Sequence, residues 1–446
     1  MEYSTDVKSF LKKNKTNILS KVTICLKDGR KLSGVIMPKG DGDSNVLVLK
    51  QDNGYNVGFH IKNIDSMVCG GPTQQTKFSI KTEPKSDGPL ISIIGAGGTI
   101  ASRVEYKTGA VHPMISQKEL LNAFPEVSNI AKVNVSQLFS LLSADMVPEL
   151  WIEIAEEAEK IIKKDKPTGI VITHGTDTMH YTSAALSFML QDLPCPIILT
   201  GAQRSSDRGS SDSKTNLISS IMAAKHDFAE VAVCMHASMN DDVCYAHRGT
   251  RVRKMHTSRR DTMRTINDLP LLKIDWRKQK ISELSKVLKP KTKLKFNKKL
   301  NTNVCMQYYY PGMNPKEISR LSEYEGVVLM GTGLGHVSTN SEHKKSQPLL
   351  KEIKELLDSG TAVVMSSQCI HGRVNMNVYT YGRLLREAGV IGHLCDWTPE
   401  TAYVKLMYVL GNTKKLNKVK EQMETNLVGE ISERSDIFEE FESYEI

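Results

Sequence analysis

The sequence predicts an α/β protein, with two consecutive parallel-sheet domains preceded by a small N-terminal all-β barrel of the Sm or SH3 kind. Three observations carry that expectation. Up to about Cys69 the chain reads as short strands separated by hairpin turns. From Leu90 onward, short apolar runs alternate with helical patterns, as in a mostly parallel sheet with helices on both faces. After a Lys-rich stretch the same alternation begins again. At 446 residues the chain is also too long for one hydrophobic core.

The barrel is expected over residues 1–75. Val22, Ile24 and Leu26 alternate before an Asp28-Gly29 turn, and Leu32, Val35 and Met37 follow. Next come Val46-Leu47-Val48-Leu49, then Asn53-Gly54 ahead of Tyr55, Val57 and Phe59. Asp-Gly and Asn-Gly supply the positive φ angles that two-residue hairpins need. Four or five such strands in roughly fifty residues suggest a closed barrel. Residues 76–88, ending in Lys81-Thr82-Glu83-Pro84-Lys85-Ser86-Asp87-Gly88, have linker composition.

The first α/β domain is expected over 89–290. Its strands are Leu90–Ile94, Gly169–Thr173, Pro196–Thr200 and Val231–Met235, and its helices Ser183–Gln191 and Lys214–Lys225. Residues 291–323 form a basic interdomain connection. The second α/β domain, 324–446, has strands Gly326–Met330 and Thr361–Met365. Its helices are Leu349–Leu357, Tyr381–Ala388 and Thr401–Leu410, and it ends in an acidic tail, read as a solvated helix or frayed end.

Hydrophobic residues make up 40% and charged residues 24%, an ordinary soluble composition. No apolar run approaches the ~18–20 residues of a membrane span, and the N-terminus lacks the apolar core of a signal peptide. A cytoplasmic protein with no membrane contact is expected. None of the eight cysteines forms a Cys-x-x-Cys pair, so reduced buried thiols and no metal site are expected. The net charge is +9, although the tail from Glu430 carries seven acids and one arginine. Basic residues crowd Arg277 to Lys299, which suits a polyanion such as tRNA, or merely a solvated surface.

Three turns carry the candidate chemistry: Gly95-Ala96-Gly97-Gly98-Thr99-Ile100-Ala101-Ser102, Ser143-Ala144-Asp145-Met146 and His174-Gly175-Thr176-Asp177-Thr178. In parallel sheets ligands bind beyond the carboxyl ends of strands, where glycines let backbone approach them. Thr99 lies beside backbone N–H groups that could form an oxyanion site, although a structural strand–helix turn would read the same. Thr176-Asp177 puts a hydroxyl next to a carboxylate. A threonine hydroxyl is a poor nucleophile without a base, and a buried lysine held by a carboxylate can serve as one. Lys254, in Arg251-Val252-Arg253-Lys254-Met255-His256, is a candidate that these considerations do not separate from its neighbours.

Gly97-Gly98-Thr99-Ile100-Ala101 and His174-Gly175-Thr176-Asp177-Thr178-Met179 resemble the two motifs of the bacterial-type L-asparaginase family. The likeness runs from about Leu90 to the final helices and implies the two-domain L-asparaginase-type fold. It implies that Thr99 is the primary nucleophile, forming an acyl-enzyme with the amide carbonyl. Tyr106 corresponds to the tyrosine of a mobile lid that assists Thr99. Thr176, Asp177 and Lys254 correspond to a second threonine with its aspartate–lysine partners. Ser143 matches a substrate-contacting serine, and Asp177 also matches the carboxylate that grips the substrate α-amino group. Ala96 departs from the threonine that many family members carry, and placing Lys254 requires alignment across a variable loop.

Further segments resemble the GatD family, the ammonia-producing subunits of archaeal glutamyl-tRNA(Gln) amidotransferases. They are Met179-His180-Tyr181-Thr182-Ser183-Ala184, Gly201-Ala202-Gln203-Arg204-Ser205-Ser206-Asp207-Arg208, Gly372-Arg373-Val374-Asn375-Met376-Asn377-Val378-Tyr379 and Pro399-Glu400-Thr401-Ala402. The N-terminal barrel adds to this likeness, because ordinary asparaginases lack it. The resemblance implies a homodimer of this chain joined to its partner subunit, GatE, in a heterodimer or heterotetramer. Asparagine or glutamine would be the amide donor, and Glu-tRNA(Gln) would be held mainly by the partner. No cofactor is expected in this chain, ATP and Mg²⁺ being used by the partner subunit. The alternative is a stand-alone L-asparaginase with an accessory barrel. His174, His336 and His371 are expected to be structural, and Gly331-Thr332-Gly333-Leu334-Gly335 a strand–helix turn rather than a phosphate loop. The barrel would be a protein adaptor or, less simply, an RNA binder.

Overall fold

The computed structural model describes residues 3–37, 43–50, 56–72, 88–98, 102–104, 111–113, 124–204, 211–341 and 343–435. Ser4 accepts a hydrogen bond from the Val7 amide and opens a helix, Thr5–Lys13, that the strand pattern gave no reason to expect. Val7 and Leu11, one turn apart, face inward, and Lys12 and Lys13 sit at the C-terminal end of the helix dipole. The helix packs on a five-stranded antiparallel sheet. The spatial order is Asn56–His60, Val46–Lys50, Lys31–Ile36, Ser20–Leu26, Ile64–Pro72. Alternation explains the core, since Val22, Ile24 and Leu26 are buried while Lys21 is exposed. Two register shifts in the pairing with Ile64–Pro72 bend this small sheet. Gly29 turns at φ +86° as the Asp-Gly signal requires, whereas the Asn53-Gly54 turn and most of the linker lie outside the described residues.

The first α/β unit is an eight-stranded sheet. Its order is Lys280–Glu283, Leu272–Asp275, Val243–Arg248, Val231–His236, Ile197–Thr200, Gly169–Thr173, Leu90–Ala96, Lys132–Phe139. The last five are mutually parallel and the first three add on antiparallel. Numbered by chain order, the parallel set runs 2-1-3-4-5. From Leu90–Ala96 the chain moves to one side, then returns to the other, and the crevice at this switch point is where such folds bind ligands.

Helix Pro148–Asp165 begins with proline at its first turn and ends at Lys166 in the left-handed region. Trp151, Ile154, Ala155, Ala158, Ile161 and Ile162 form its inward stripe. Helix Met179–Met189 joins the same core, and Ser213–Ala224 covers the opposite face of the sheet. Both are buried nearly all round, small polar side chains such as Thr182, Ser183, Ser219 and Ser220 included.

The second unit has three parallel strands, Val304–Tyr308, Gly326–Gly331 and Ala362–Ser367, extended by a bridge from Val364 to Ile391. Helix Pro399–Asn412 contributes Val404, Leu406, Met407 and Leu410 to the core shared with Met179–Met189, so the units meet through apolar side chains. Much of the basic stretch is structural. Lys280–Glu283 is an edge strand, Lys295–Phe296 pairs with Leu190–Gln191, and Lys289, Lys295 and Lys298 reach Asp227, Asp192 and Glu156.

Two expectations are corrected. Gly331–Gly335 leads into no helix; the Thr332 amide donates to the His336 carbonyl in a closed reverse turn, and the next helix starts at Leu350. Glu430 does not belong to a solvated tail, because it is buried against Lys405. No helix among the described residues is long and apolar enough to cross a membrane.

Candidate active site

The carboxyl ends of three adjacent parallel strands, Lys132–Phe139, Leu90–Ala96 and Gly169–Thr173, deliver the three predicted turns to the switch point. They approach so closely that only glycine fits between them. A Cβ on Gly98, at φ +84°, would lie 2.5 Å from the His174 carbonyl. One on Gly175 would lie 2.5 Å from Ser143 Oγ. The Thr178 hydroxyl closes this junction by donating to the Ser143 carbonyl at 2.7 Å. Ser143 is thus a buried neighbour of the Gly175-Thr176 turn.

His174 is fully buried, and burial lowers its pKa to about 4, so its ring is neutral at pH 7. Its Nδ1 lies 2.7 Å from the Gly175 carbonyl and its Nε2 2.9 Å from the Thr182 hydroxyl. A carbonyl can only accept, which assigns the ring proton to Nδ1. The ring ties the turn to helix Met179–Met189 and has no direct partner among the acid–base groups.

Lys254 arrives from outside the main sheet. The hairpin of Val252–Lys254 and Met263–Thr265 carries it, with Lys254 opposite Met263. Its ammonium donates to Thr176 Oγ1 at 2.9 Å and to Asp177 Oδ1 at 2.7 Å. The environment is graded along this line. Thr176 is buried, the Lys254 side chain is 11% exposed, and the Asp177 side chain is 71% exposed. A hydroxyl in a dry site is therefore linked through an amine to a carboxylate open to solvent, an arrangement suited to moving a proton.

Of the sequence-predicted residues, Thr176, Asp177, Lys254 and Ser143 come together at this point. Thr99 and Tyr106 lie outside the described residues. In sequence, Thr99 falls between the glycine pair and strand Ser102–Val104, and Tyr106 between that strand and its antiparallel partner Val111–Pro113. Among the described residues no group of three His, Cys, Asp or Glu side chains could hold a metal ion.

Sequence reasoning missed the residues that hold these groups in place. Asp212, fully buried, accepts from the amides of Gln203 and Arg204 and from Asn216 Nδ2, tying those two residues to the start of helix Ser213–Ala224. Arg251 and Arg253 pair with Asp396 and Glu400, well over a hundred residues onward. A run of basic residues around Lys254 was visible; no local pattern reveals partners so distant.

Three family models match the chain in sequence. They are the GatD N-terminal domain over residues 17–68, the N-terminal asparaginase domain over 90–286, and the glutaminase/asparaginase C-terminal domain over 303–423. The GatD subunit of glutamyl-tRNA(Gln) amidotransferase from Pyrococcus furiosus is 45% identical over 438 residues, covering 96% of this chain and 97% of its own. The corresponding subunit from Sulfurisphaera tokodaii is 46% identical, with 92% and 90% covered. The thermostable L-asparaginase from Thermococcus kodakarensis superposes with a TM-score of 0.68 at 30% identity, covering 77% of this chain and 99% of that one. L-asparaginase I from Vibrio cholerae gives 0.66 at 30% identity, with 78% and 100% covered. The two α/β units therefore form the two-domain asparaginase fold, and, with the N-terminal domain and the near full-length likeness, the chain belongs to the GatD family of glutamyl-tRNA(Gln) amidotransferase subunits.

Proposed function

We propose that this chain is the ammonia-generating amidohydrolase of a tRNA-dependent amidotransferase. It hydrolyses the side-chain amide of asparagine or glutamine and passes the ammonia to GatE. The observation that carries the reading is the contact of one lysine amine with both Thr176 Oγ1 and Asp177 Oδ1 at the switch point of the sheet.

In this scheme the Thr99 hydroxyl attacks the amide carbon as its proton is drawn off, the C–N bond breaks, and the leaving nitrogen takes up a proton in exchange and departs as ammonia. Water then hydrolyses the acyl-enzyme to the free acid. Thr176, Lys254 and Asp177 move the protons, Lys254 acting as base when its amine has passed a proton to Asp177. Ser143 and the open face of Asp177 hold the donor amino acid, and Tyr106 closes over Thr99. The roles of Thr99 and Tyr106 rest on the motif resemblance. GatE would use ATP and Mg²⁺ to activate the glutamyl group of Glu-tRNA(Gln), so this chain needs no cofactor of its own. A homodimer of this chain, joined to GatE in the cytoplasm, would be the working assembly. Direct transfer suits the chemistry, because ammonia released to water is protonated and lost as a nucleophile.

The test measures ammonia released from asparagine and glutamine, first by this chain alone and then with GatE, ATP, Mg²⁺ and Glu-tRNA(Gln). Thr176→Ala is the blank. Strong activation by the complete mixture, with formation of Gln-tRNA(Gln), is the expected result. Full activity without any partner would replace the reading with a free-standing asparaginase.

A further inference from the structure

Lys254 ends a strand of three residues, Val252–Lys254, whose ladder consists of a single antiparallel partner. So short a hairpin cannot set its own angle to the main sheet. The residues leading up to Lys254 are gripped instead by the second domain, chiefly by its residues 396–401. Asp396 Oδ2 lies 3.1 Å from Arg251 Nη1, and Arg253 Nε donates to Glu400 Oε1 at 2.8 Å. The Thr401 hydroxyl donates to the Thr250 carbonyl at 2.9 Å. Arg251 also donates to the Gly429 carbonyl and to Ser432 Oγ, each at 2.8 Å.

Residues 396–401 include the start of helix Pro399–Asn412, whose N-cap Thr398 accepts from the Thr401 amide. A helix end anchored in the shared apolar core is a stiff support for its side chains. Arg253 is the residue directly before Lys254, so the Arg253–Glu400 pair is the last fixed point on the chain before the amine. Glu400 is buried, and among the described residues its Oε2 has no hydrogen-bond partner. A buried carboxylate satisfied at one oxygen contributes little net stability, because desolvation offsets much of the attraction. Its effect is geometric.

We propose that Glu400 is a positioning residue for the amide-hydrolysing chemistry. Through Arg253 it fixes the angle at which the hairpin presents Lys254 to Thr176 and Asp177, so the second domain sets the geometry of acid–base groups that belong to the first. This rests on the amidohydrolase reading above.

The test compares kcat and KM for amide hydrolysis in the full chain, with GatE and Glu-tRNA(Gln) present if activity requires them. The variants are Glu400→Gln, Arg253→Gln, the double variant, and Tyr408→Phe, which removes an interdomain hydrogen bond to Gln191. A misplacement near 1 Å costs up to about a hundredfold, so Glu400→Gln is expected to lower kcat by roughly ten- to a hundredfold. KM should stay within about twofold, because donor contacts are untouched. The double variant should lose no more than the worse single one. Tyr408→Phe should lower the thermal midpoint and leave kcat alone. Arg253→Lys keeps the charge but loses the planar fork, and gives the same reading if Glu400→Gln does not fold.

Unchanged kcat in Glu400→Gln, or losses that simply add in the double variant, would overturn the proposal. Absence of ammonia release from the wild-type chain in the complete mixture would instead remove the functional reading beneath it.

Discussion

The Lys405 ammonium and the Glu430 carboxylate lie 2.5 Å apart, and neither side chain has any exposed surface. Lys405 also donates to the carbonyls of Met423 and Thr425, and Glu430 accepts from the amides of Leu427 and Val428. Burial pushes the Lys405 pKa down, against the opposing pull of Glu430. The pair fastens the chain beyond the last helix, Leu416–Glu424, to helix Pro399–Asn412.

Removing Glu430 leaves the Lys405 ammonium in a dry site with two carbonyls but no counter-ion. Glu430→Ala is expected to cost about 3–5 kcal/mol of unfolding free energy. The double replacement Lys405→Met with Glu430→Leu should recover only part of it: it removes the unpaired charge, but the carbonyls of Met423 and Thr425 and the amides of Leu427 and Val428 lose their partners. Urea unfolding of the three chains checks this. A Glu430→Ala chain as stable as wild type would mean the pair holds nothing in place.

Gly175→Ala addresses the junction of the three turns. The new Cβ would meet Ser143 Oγ at 2.5 Å and Cβ at 2.6 Å, so either Ser143 or the Thr176 turn must move. Overpacking of this kind costs about 1–3 kcal/mol. Both groups that move belong to the candidate site, so catalysis should suffer more than folding. The expected result is a loss of kcat/KM of about a hundredfold or more with far-UV circular dichroism unchanged. Retained activity would show that Ser143 and Thr176 are not held against one another.

Which parts of this were legible in sequence follows from how local their causes are. Leu90–Ile94 and Gly169–Thr173 announce themselves, because a strand buried on both faces is apolar at nearly every position, Ser92 and Thr173 being the buried exceptions. The glycines at 97, 98 and 175 mark the site for a similar reason, since close approach of backbone at the first two and of the Ser143 side chain at the third leaves no room for a Cβ. Helix Pro148–Asp165 carried a readable stripe and a proline start, and period 3.6 would have found it. Lys254 was only one of several basic residues, because its selection depends on a hairpin angle fixed by Asp396 and Glu400. Glu430 looked like part of a solvated tail because six further acids follow its position; its partner lies 25 residues earlier on the buried face of a helix.

Acid should destabilise the fold through its buried imidazoles. Burial brings His174 and His180 to a pKa of about 4 and His247 to about 3. Unfolded histidine titrates near 6.5. Between those values only the unfolded chain takes up the proton. Stability from the neutral rings is therefore complete above about pH 6.5 and falls as the pH drops toward 4, by on the order of 3 kcal/mol for His174 alone. His174→Asn should be less stable at pH 7 but show a flatter slope from pH 6.5 to 4. Equal slopes in the two chains would mean that His174 titrates normally.

Substitution of Lys254 separates a proton carrier from a fixed positive charge. Lys254→Met keeps the apolar stem and removes the amine from Thr176 Oγ1 and Asp177 Oδ1. The exposed Asp177 carboxylate can turn to water, whereas the buried Thr176 hydroxyl loses a partner, at about 1–3 kcal/mol. The fold should survive, and kcat should fall by about 10²–10⁴, the range general acid–base groups supply. Lys254→Arg decides the role. Guanidinium retains the charge, but it does not give up a proton in a protein. If Lys254 accepts the proton of Thr176, the arginine chain should be nearly as inactive as the methionine chain across the pH range. If the lysine contributes only a positive charge, arginine should restore most of kcat. Steady-state ammonia release from the two variants, at matched saturation with the amide donor, distinguishes these outcomes.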